Sequence, residues 1–449
     1  MKSTDIQILE ASCATQEFAY RSPMKFGGRI MHGIVLLDVN VKVRSRSGKT
    51  GTGFGSMTMG NIWAWPGGRT DPTDTLDTMI RFGREVVREA ENFREFGHPL
   101  ELMYDFSRRY ETFAYSRNVM ADSAPEPMPR LAQLVAASPF EAALFDAYGK
   151  MLDENVYNLL SDEFCNRDLS HYLGEDFQGE YPDRYTLRKP KDRMPLYHLV
   201  GALDPLTDAD VKTPLDDGLP EHLGQWIHYN GLTHFKIKLN GDDLDWDVER
   251  VLAIDRIAEE EQAKRGCTQW CYSADFNERC ANVEYVLEFL NRIKKRTPAA
   301  MERLQYIEQP THRDLKAFPE NKMHRAAEIV PVVIDESLLD LESFHESRKM
   351  GYSGIALKAC KGHSEALLMG AAAQKYDLFL CVQDLTCPGA SFLHSASLSA
   401  RIPTVAAIEG NSRQYCPAAN VPWTKKYPSM FIVKDGTLGT NVLTGPGLF

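Results

Sequence analysis

Between about residue 195 and residue 410 the chain carries eight short apolar runs, most of them separated by segments with helical periodicity. They are "PLYHLV", "THFKIKL", "QWCYSAD", "LQYIEQ", "PVVIDE", "GIALKA", "LFLCVQD" and "TVAAIEG". The spacers include "DWDVERVLAIDRIAEEEQ", "VEYVLEFLNRIKKR" and "SEALLMGAAAQKYD". Strands that alternate with helices form parallel βαβ units, because parallel neighbours need a crossover and a helix supplies it. Eight such units predict a closed (β/α) barrel. The last helix is weak: after Gly410 only "NSRQYCPAAN" is available.

Charged residues fall at the ends of these runs. Lys238, Asp275, Glu308, the pair Asp335–Glu336, Lys358 and Glu409 close six of them, and Asp384 closes the seventh. The active site of a barrel is built from the C-terminal ends of its strands, so these residues converge on one mouth. A single polar residue at such a position is ordinary. Acidic residues ending three successive apolar strands (Asp275, Glu308 and Asp335) are harder to dismiss, because three gathered carboxylates repel one another and a cation resolves the repulsion. All-oxygen ligands favour Mg²⁺ or Mn²⁺ over zinc.

The stretch "HFKIKLNGDD" places Lys236 and Lys238 on one face of a strand and Phe235, Ile237 and Leu239 on the other. Such a pattern commonly marks a half-exposed strand. In a barrel both faces are buried, and two interior cations are tolerable only beside anions. The expected arrangement sets the lysines against the carboxylate–metal cluster and an anionic substrate. Lys238 and Lys358 then flank the metal, and one of them takes a proton from the carbon beside the substrate carboxylate. Lys236 lowers the pKa of its neighbour by positive charge.

The chain of 449 residues is too long for one typical domain. Its net charge of −11 argues against a nucleic-acid partner, which needs a basic footprint. No stretch approaches a membrane span and the N-terminus lacks a signal-peptide run, so a cytoplasmic location is expected. Nine scattered cysteines, with Cys267, Cys271 and Cys280 as the one cluster, point to reduced thiols rather than to zinc or disulfides. To about residue 65 the chain is strand-like: "DIQILEAS" and "GIVLLDVNVKVRS" alternate, and "SGKTGTGFGS" supplies turn glycines. Helices are expected from Leu76 to about Gly97 and over "SPFEAALFDAYGKMLDENVYNLL", with Ser138 as N-cap. Residues from about 161 to 193 look like an insertion or connecting loop, and the tail "MFIVKDGTLGTNVLTGPGLF" like a small hairpin.

In combination these motifs resemble the enolase superfamily, in its muconate-lactonizing-enzyme-like subgroup (mandelate racemase/muconate lactonizing enzyme family). "FKIKL" is similar to the family's K-x-K on the second barrel strand, "DFN" to its D-x-N on the third, and "IEQP" to the fourth-strand ligand. "IDES" and "IALKACK" are similar to the fifth-strand ligand and the sixth-strand lysine. The resemblance implies an α/β fold, a modified (β/α)8 TIM-type barrel with an α+β N-terminal capping domain. The expected division is 1–135 for the cap, 136–194 for a connecting helix and insertion, 195–415 for the barrel and 416–449 for a tail returning to the cap. It also implies Mg²⁺ (or Mn²⁺) on Asp275, Glu308 and Asp335, Lys238 and Lys358 as the acid–base pair, a small carboxylate substrate and a homo-oligomer.

Asn277, Glu336, Asp384, Glu409, Trp63 and Trp65 are candidates for substrate contact. The two tryptophans share a face if their segment is extended, either as cap core or as a lid. "YRSPMKFGGR" and "MGNIWAWPGG" are the candidate specificity loops. Lys358 stands where the mandelate-racemase subgroup would carry its histidine–aspartate dyad, and the eighth strand lacks the Asp-x-Asp of dipeptide epimerases. The expected activity is Mg²⁺-dependent abstraction of an α-proton through an enediolate, as a racemase, epimerase or cycloisomerase. A dehydratase using the same half-reaction is the alternative. A metal-dependent barrel hydrolase is more distant, since such sites favour histidine ligands and His198 stands alone. A non-catalytic scaffold is least compatible with so many charged strand ends.

Overall fold

In the computed structural model, residues 1–26, 29–66, 68, 70–120 and 126–449 are described. Twelve strands form two sheets among them. Strands β1 (Ile6–Phe26), β2 (Arg29–Ser45) and β3 (Thr50–Thr58) make an antiparallel sheet in that order. The barrel follows as β4 (Arg193–Val200), β5 (His234–Lys238), β6 (Cys271–Asp275) and β7 (Leu304–Glu308). It continues as β8 (Val332–Ile334), β9 (Gly354–Leu357), β10 (Phe379–Val382) and β11 (Ile408–Glu409). Successive strands pair in parallel, and β11 closes the ring by pairing with β4. No helix among the described residues is long and apolar enough to cross a membrane.

The interior of the barrel is layered by the two-residue period of its strands. Tyr197, Cys271, Tyr306, Val333, Ala356, Cys381 and Ala407 pack together as an inner floor. Two residues further along each strand the same inward face carries Glu308 after Tyr306, Asp335 after Val333, Lys358 after Ala356 and Glu409 after Ala407. On β6 the inward face runs from Cys271 through Ser273 to Asp275, which pairs in register with Glu308. The charged residues therefore sit on an apolar plug and open only toward the C-terminal end. On β5 both faces are buried: Phe235 and Ile237 pack outward, and Lys236 is 1% exposed on the inside.

Four expectations about the N-terminal part need correction. Of the glycines in "SGKTGTGFGS", Gly48 has a positive φ (87°) at the turn, but Gly51, Gly53 and Gly55 lie within β3. They face the helix Arg130–Leu152, where residues four apart (Pro139, Ala143, Ala147, Met151) meet strand positions two apart. Two strand residues and four helical residues advance by nearly the same length, about 6–7 Å. A Cβ on Gly53 would lie 2.1 Å from the Ala143 carbonyl oxygen and 2.2 Å from the Ala147 nitrogen. Overpacking of backbone against backbone has no side chain to yield, so Gly53→Ala should cost about 3 kcal/mol or more in urea unfolding. An unchanged midpoint would show that the helix can lift off the strand cheaply.

The connecting helix also starts earlier than expected, at Arg130, which puts Ser138 in its interior rather than at its N-cap. Pro139 has no N–H to give the Val135 carbonyl, and the Ser138 hydroxyl donates to that oxygen instead, at 2.8 Å. This substitution of one donor for another lets the helix run through a proline. The preceding helix runs Pro72–Ala90, with Asp71 capping Thr73 N–H, and does not extend to Gly97.

The segment read as a specificity loop, "YRSPMKFGGR", is for the most part strand. Tyr20–Phe26 belong to β1 and Arg29 opens β2, while Gly27 and Gly28 lie outside the described residues. The insertion near 161–193 holds short helical turns, tied to the barrel helix His363–Lys375 where Lys375 meets Glu180 at 2.8 Å. The tail makes a tight antiparallel turn, in which Lys434 and Thr437 exchange backbone hydrogen bonds around Asp435 and Gly436. Its strand β12 (Thr437–Gly439) adds antiparallel to β4, and Leu448 N–H reaches back to Asp146 of the connecting helix at 3.1 Å.

Candidate active site

The end of the barrel opens into a narrow cavity. Lys236, Lys238, Glu308, Asp335, Lys358 and Glu409 form its charged floor. The walls and roof are mostly apolar: Met24, Phe26 and Met31 from the ends of β1 and β2, with Trp63, Leu199 and Leu385. Register explains the convergence, since Lys238, Asp275 and Glu308 are direct partners across β5, β6 and β7.

The floor is a network of buried ion pairs. The Lys236 ammonium lies 2.9 Å from Glu308, 2.7 Å from Glu409 and 3.1 Å from Asp275. Burial alone would drive this amine neutral, but the three carboxylates outweigh it and hold Lys236 well above the usual lysine range. Lys238 bonds Asp275, and its ammonium sits 4.9 Å from the centre of the Phe26 ring. Lys358 lies 2.7 Å from Asp335 and 4.4 Å from the Trp63 ring centre. For Lys358 too, burial works against the charge, and Asp335 raises the pKa above its ordinary value. Burial opposes ionisation of Asp275 as well, yet Lys238 and Lys236 keep its carboxyl below the usual range. Burial, aided by Asp275, pushes Glu308 up. Lys236, expected from the sequence to supply charge beside Lys238, is paired with three carboxylates.

The remaining candidates are placed as follows. Asn277, with φ of 46°, lines the cavity and its N–H caps Asp275 at 2.8 Å. Glu336 is buried behind Trp63, accepting from its indole N–H at 3.0 Å, and borders a neighbouring hollow instead of the cavity. Burial, with Asp335 beside it, lifts Glu336 to about 8. Asp384 and Glu409 line the cavity. Trp63 and Trp65 do not share an extended face. Asn61–Ala64 is a helical turn that turns Trp63 to the cavity, and Trp65 packs into the core at its end. Gly67 of that segment lies outside the described residues. His198 is 2% exposed and packed at a tilt against Trp226, and burial lowers it to about 3, so it is a packed neutral ring.

Sequence reasoning missed three residues of this network. Gln383 is the inward residue of its strand, two beyond Cys381, and bonds Glu308. The two-residue period would have found it beside Asp384. Lys361, in the turn after Lys358, lies 3.1 Å from the Asp335 carboxylate and donates to the Asp335 and Leu338 carbonyls. Gln309, at φ of 30°, accepts from the Asp335 and Ser337 N–H groups at 3.0 and 3.2 Å and fixes the end of β8 to that of β7. Nothing in the sequence pattern marks the last two.

The three carboxylates do not form the tight triad expected. Among the described residues no three His, Cys, Asp or Glu side chains converge closely enough to share an ion. Each carboxylate leans on a lysine instead, because mutual repulsion separates buried anions and ammonium groups compensate them. The donor set nevertheless suits Mg²⁺ in kind: oxygen only, from three adjacent strands. Both buried carboxylate oxygens of Asp335 lack any aligned hydrogen bond and are held by charge alone. Asp275, Glu308 and Asp335 are the residues that would hold such an ion.

Residues 219–448 match the family model described as "Enolase C-terminal domain-like". The chain belongs to the enolase superfamily. Among solved superfamily structures, the muconate lactonizing enzyme of Pseudomonas fluorescens, complexed with muconolactone, matches with a TM-score of 0.61 at 19% identity. It covers 98% of this chain and 95% of that one. The dipeptide epimerase of Cytophaga hutchinsonii, complexed with Mg and D-Ala-L-Val, gives 0.62 at 15% identity over 98% and 95%. The L-Ala-D/L-Glu epimerase of Bacillus subtilis gives 0.60 at 15% identity over 98% of each chain. The sequence matches no curated protein. Likeness at these identities establishes the shared superfamily architecture, a closed eight-stranded parallel barrel with an N-terminal antiparallel sheet domain.

Proposed function

We propose that this protein removes the proton α to a substrate carboxylate, as a racemase, epimerase or cycloisomerase, with a divalent ion held by Asp275, Glu308 and Asp335. The observation that carries the reading is the placing of Lys238 and Lys358 on the second and sixth strands of an eight-membered ring. They stand four strands apart, on opposite sides of one cavity, with the three carboxylate strands between them on one side. A substrate between them presents one face to each amine, which is the arrangement that two-sided proton transfer requires. When bound, Mg²⁺ supplies fixed positive charge for the substrate carboxylate and for the negative charge that proton loss leaves there.

The chain supplies the rest. Lys236 keeps Glu308, Glu409 and Asp275 compensated within a barrel that excludes water below its apolar floor. Trp63 covers Lys358 and restricts its ammonium to the cavity side. Met24 and Phe26 roof the site, so that a bound carboxylate is screened from solvent and charge interactions inside are strengthened. Lys358 must lose its carboxylate partner before it receives the proton, since Asp335 favours the charged amine.

Metal binding tests this reading without any substrate. Calorimetry should detect one Mg²⁺ per chain, and Glu308→Gln should weaken it at least tenfold while the melting temperature stays close to that of the parent. No binding by the parent, or equal affinity in the variant, would contradict the proposed ligands.

A further inference from the structure

The chain carries a net charge of −11 and carboxylates crowd the floor of its cavity, yet the proposed substrate is itself an anion. Its route inward has to overcome that charge. Three surface hollows share lining residues with the cavity. One lies between the β1–β2 ribbon and the loop after β4, and borders the cavity at Leu199, which is buried against Met24 and Tyr415. Its rim sets Arg21 and Lys212 against Asp204, Asp210 and Glu221. A second borders the cavity at Met31, Thr58 and Gly60, and Glu17 is the one charge among its described lining residues. Neither rim attracts an anion.

The third hollow has the opposite sign. It lies beyond the ends of β5 and β6 and borders the cavity at Lys238 and Asn277, both polar. Its described lining sets Lys25, Lys238 and Arg279 against a single carboxylate, Asp242. Arg279 is paired with that Asp242, and Lys238 with Asp275. Lys25, half-buried near the end of β1, has no carboxylate partner among the described residues. Its ammonium donates instead to Oδ1 of Asn240, another lining residue, at 3.1 Å. A cation held by an amide keeps its charge for an incoming anion. Such charge in a concave entrance raises the local concentration of anions, by about 10- to 10³-fold in on-rate.

We propose that this hollow is an anion-collecting vestibule, in which Lys25 captures the carboxylate of a substrate and passes it by Asn277 and Lys238 into the cavity. The inference rests on the reading of the substrate as a carboxylate. Capture exchanges the neutral Asn240 acceptor of Lys25 for a charged one, and charge-assisted hydrogen bonds are the stronger kind. Lys238 stands at the inner border, so an anion that leaves Lys25 inward meets a second ammonium, whereas one that leaves outward meets the field of an acidic protein.

Thiol labelling tests the route without substrate or metal. Lys238→Cys places a thiol at the inner border, and Ala202→Cys places one in the hollow with Lys238 intact. Each variant is treated with 2-sulfonatoethyl methanethiosulfonate (anionic) or its 2-(trimethylammonio)ethyl counterpart (cationic), and the labelled position is identified by peptide mass. Rates are divided by those of the same reagent with 2-mercaptoethanol. At low salt the anionic reagent should lead at least tenfold in both variants, and the lead should shrink as salt screens the rim. Lys25→Glu added to either variant should remove the lead, and Ala202→Trp added to Lys238→Cys should slow both reagents at least tenfold. Equal rates, or a lead untouched by Lys25→Glu, would overturn the vestibule. Labelling of the inner thiol undiminished by Ala202→Trp would place the entrance elsewhere and overturn it too. An anion lead in a protein without α-proton exchange would support the vestibule and sink the proton-abstraction reading. Exchange without an anion lead would do the reverse.

Discussion

In D₂O, Lys238→Ala is expected to lose α-proton exchange from one stereoisomer of the substrate and to keep a measurable fraction from the other, with Lys358→Ala showing the reverse. The two amines approach from the second and sixth strands, so each meets one face of a carbon held between them. A positioned base contributes about 10²–10⁴-fold to a proton transfer, and each variant should fall by that factor for its own isomer. Neither change should unfold the barrel. Lys238 leaves Asp275 still paired with Lys236 at 3.1 Å, and Lys358 leaves Asp335 with Lys361 at 3.1 Å. If only one lysine matters for both isomers, the enzyme works from one side, as a cycloisomerase or dehydratase would. Unimpaired exchange in both variants would remove the two-lysine mechanism.

The second large effect is on stability. Lys236→Met should destabilise the protein by about 3–5 kcal/mol, because it strips Glu308 and Glu409 of their buried countercharge. The three carboxylates would be left to one another above the apolar floor of Tyr197, Tyr306 and Val333. Added Mg²⁺ should restore part of the loss, since a cation binding only the folded state stabilises it by mass action. Urea titrations with and without Mg²⁺ measure both. Stability equal to that of the parent would mean that the carboxylates simply protonate at no cost, and that Lys236 has no structural charge to balance.

The barrel was legible because its signal is repetitive. Eight apolar runs between helical spacers leave one architecture, and the charged strand ends follow from the rule that a barrel's site lies at its C-terminal face. The inward register was less so. Asp384 looked like the end of its run, yet Gln383 is the residue in phase with Cys381 and the one that reaches Glu308. Counting by two from the floor residues adds Gln383 beside Asp384, which lines the cavity, whereas counting charges does not. The N-terminal region misled for a different reason. Glycine signals a turn and a close approach with the same letter, and only the opposing helix, with Ala143 and Ala147 set against Gly53, tells them apart. Trp63 and Trp65 looked alike in sequence, but one helical turn separates a cavity residue from a core residue. Lys361 and Gln309 act through backbone groups of β8 and its turn, and no side-chain pattern encodes such contacts.

The central claim is that this cavity takes a proton from the carbon beside a carboxylate with the help of a divalent ion. Deuterium incorporation from D₂O into a panel of carboxylates, with Mg²⁺ and after exhaustive chelation, tests it most directly. The account predicts deuterium at the α-carbon of at least one member in Mg²⁺, and loss of that exchange on chelation with recovery when the ion is returned. Turnover of a carboxylate with no deuterium entering at the α-carbon, or exchange undiminished by chelation, would contradict it.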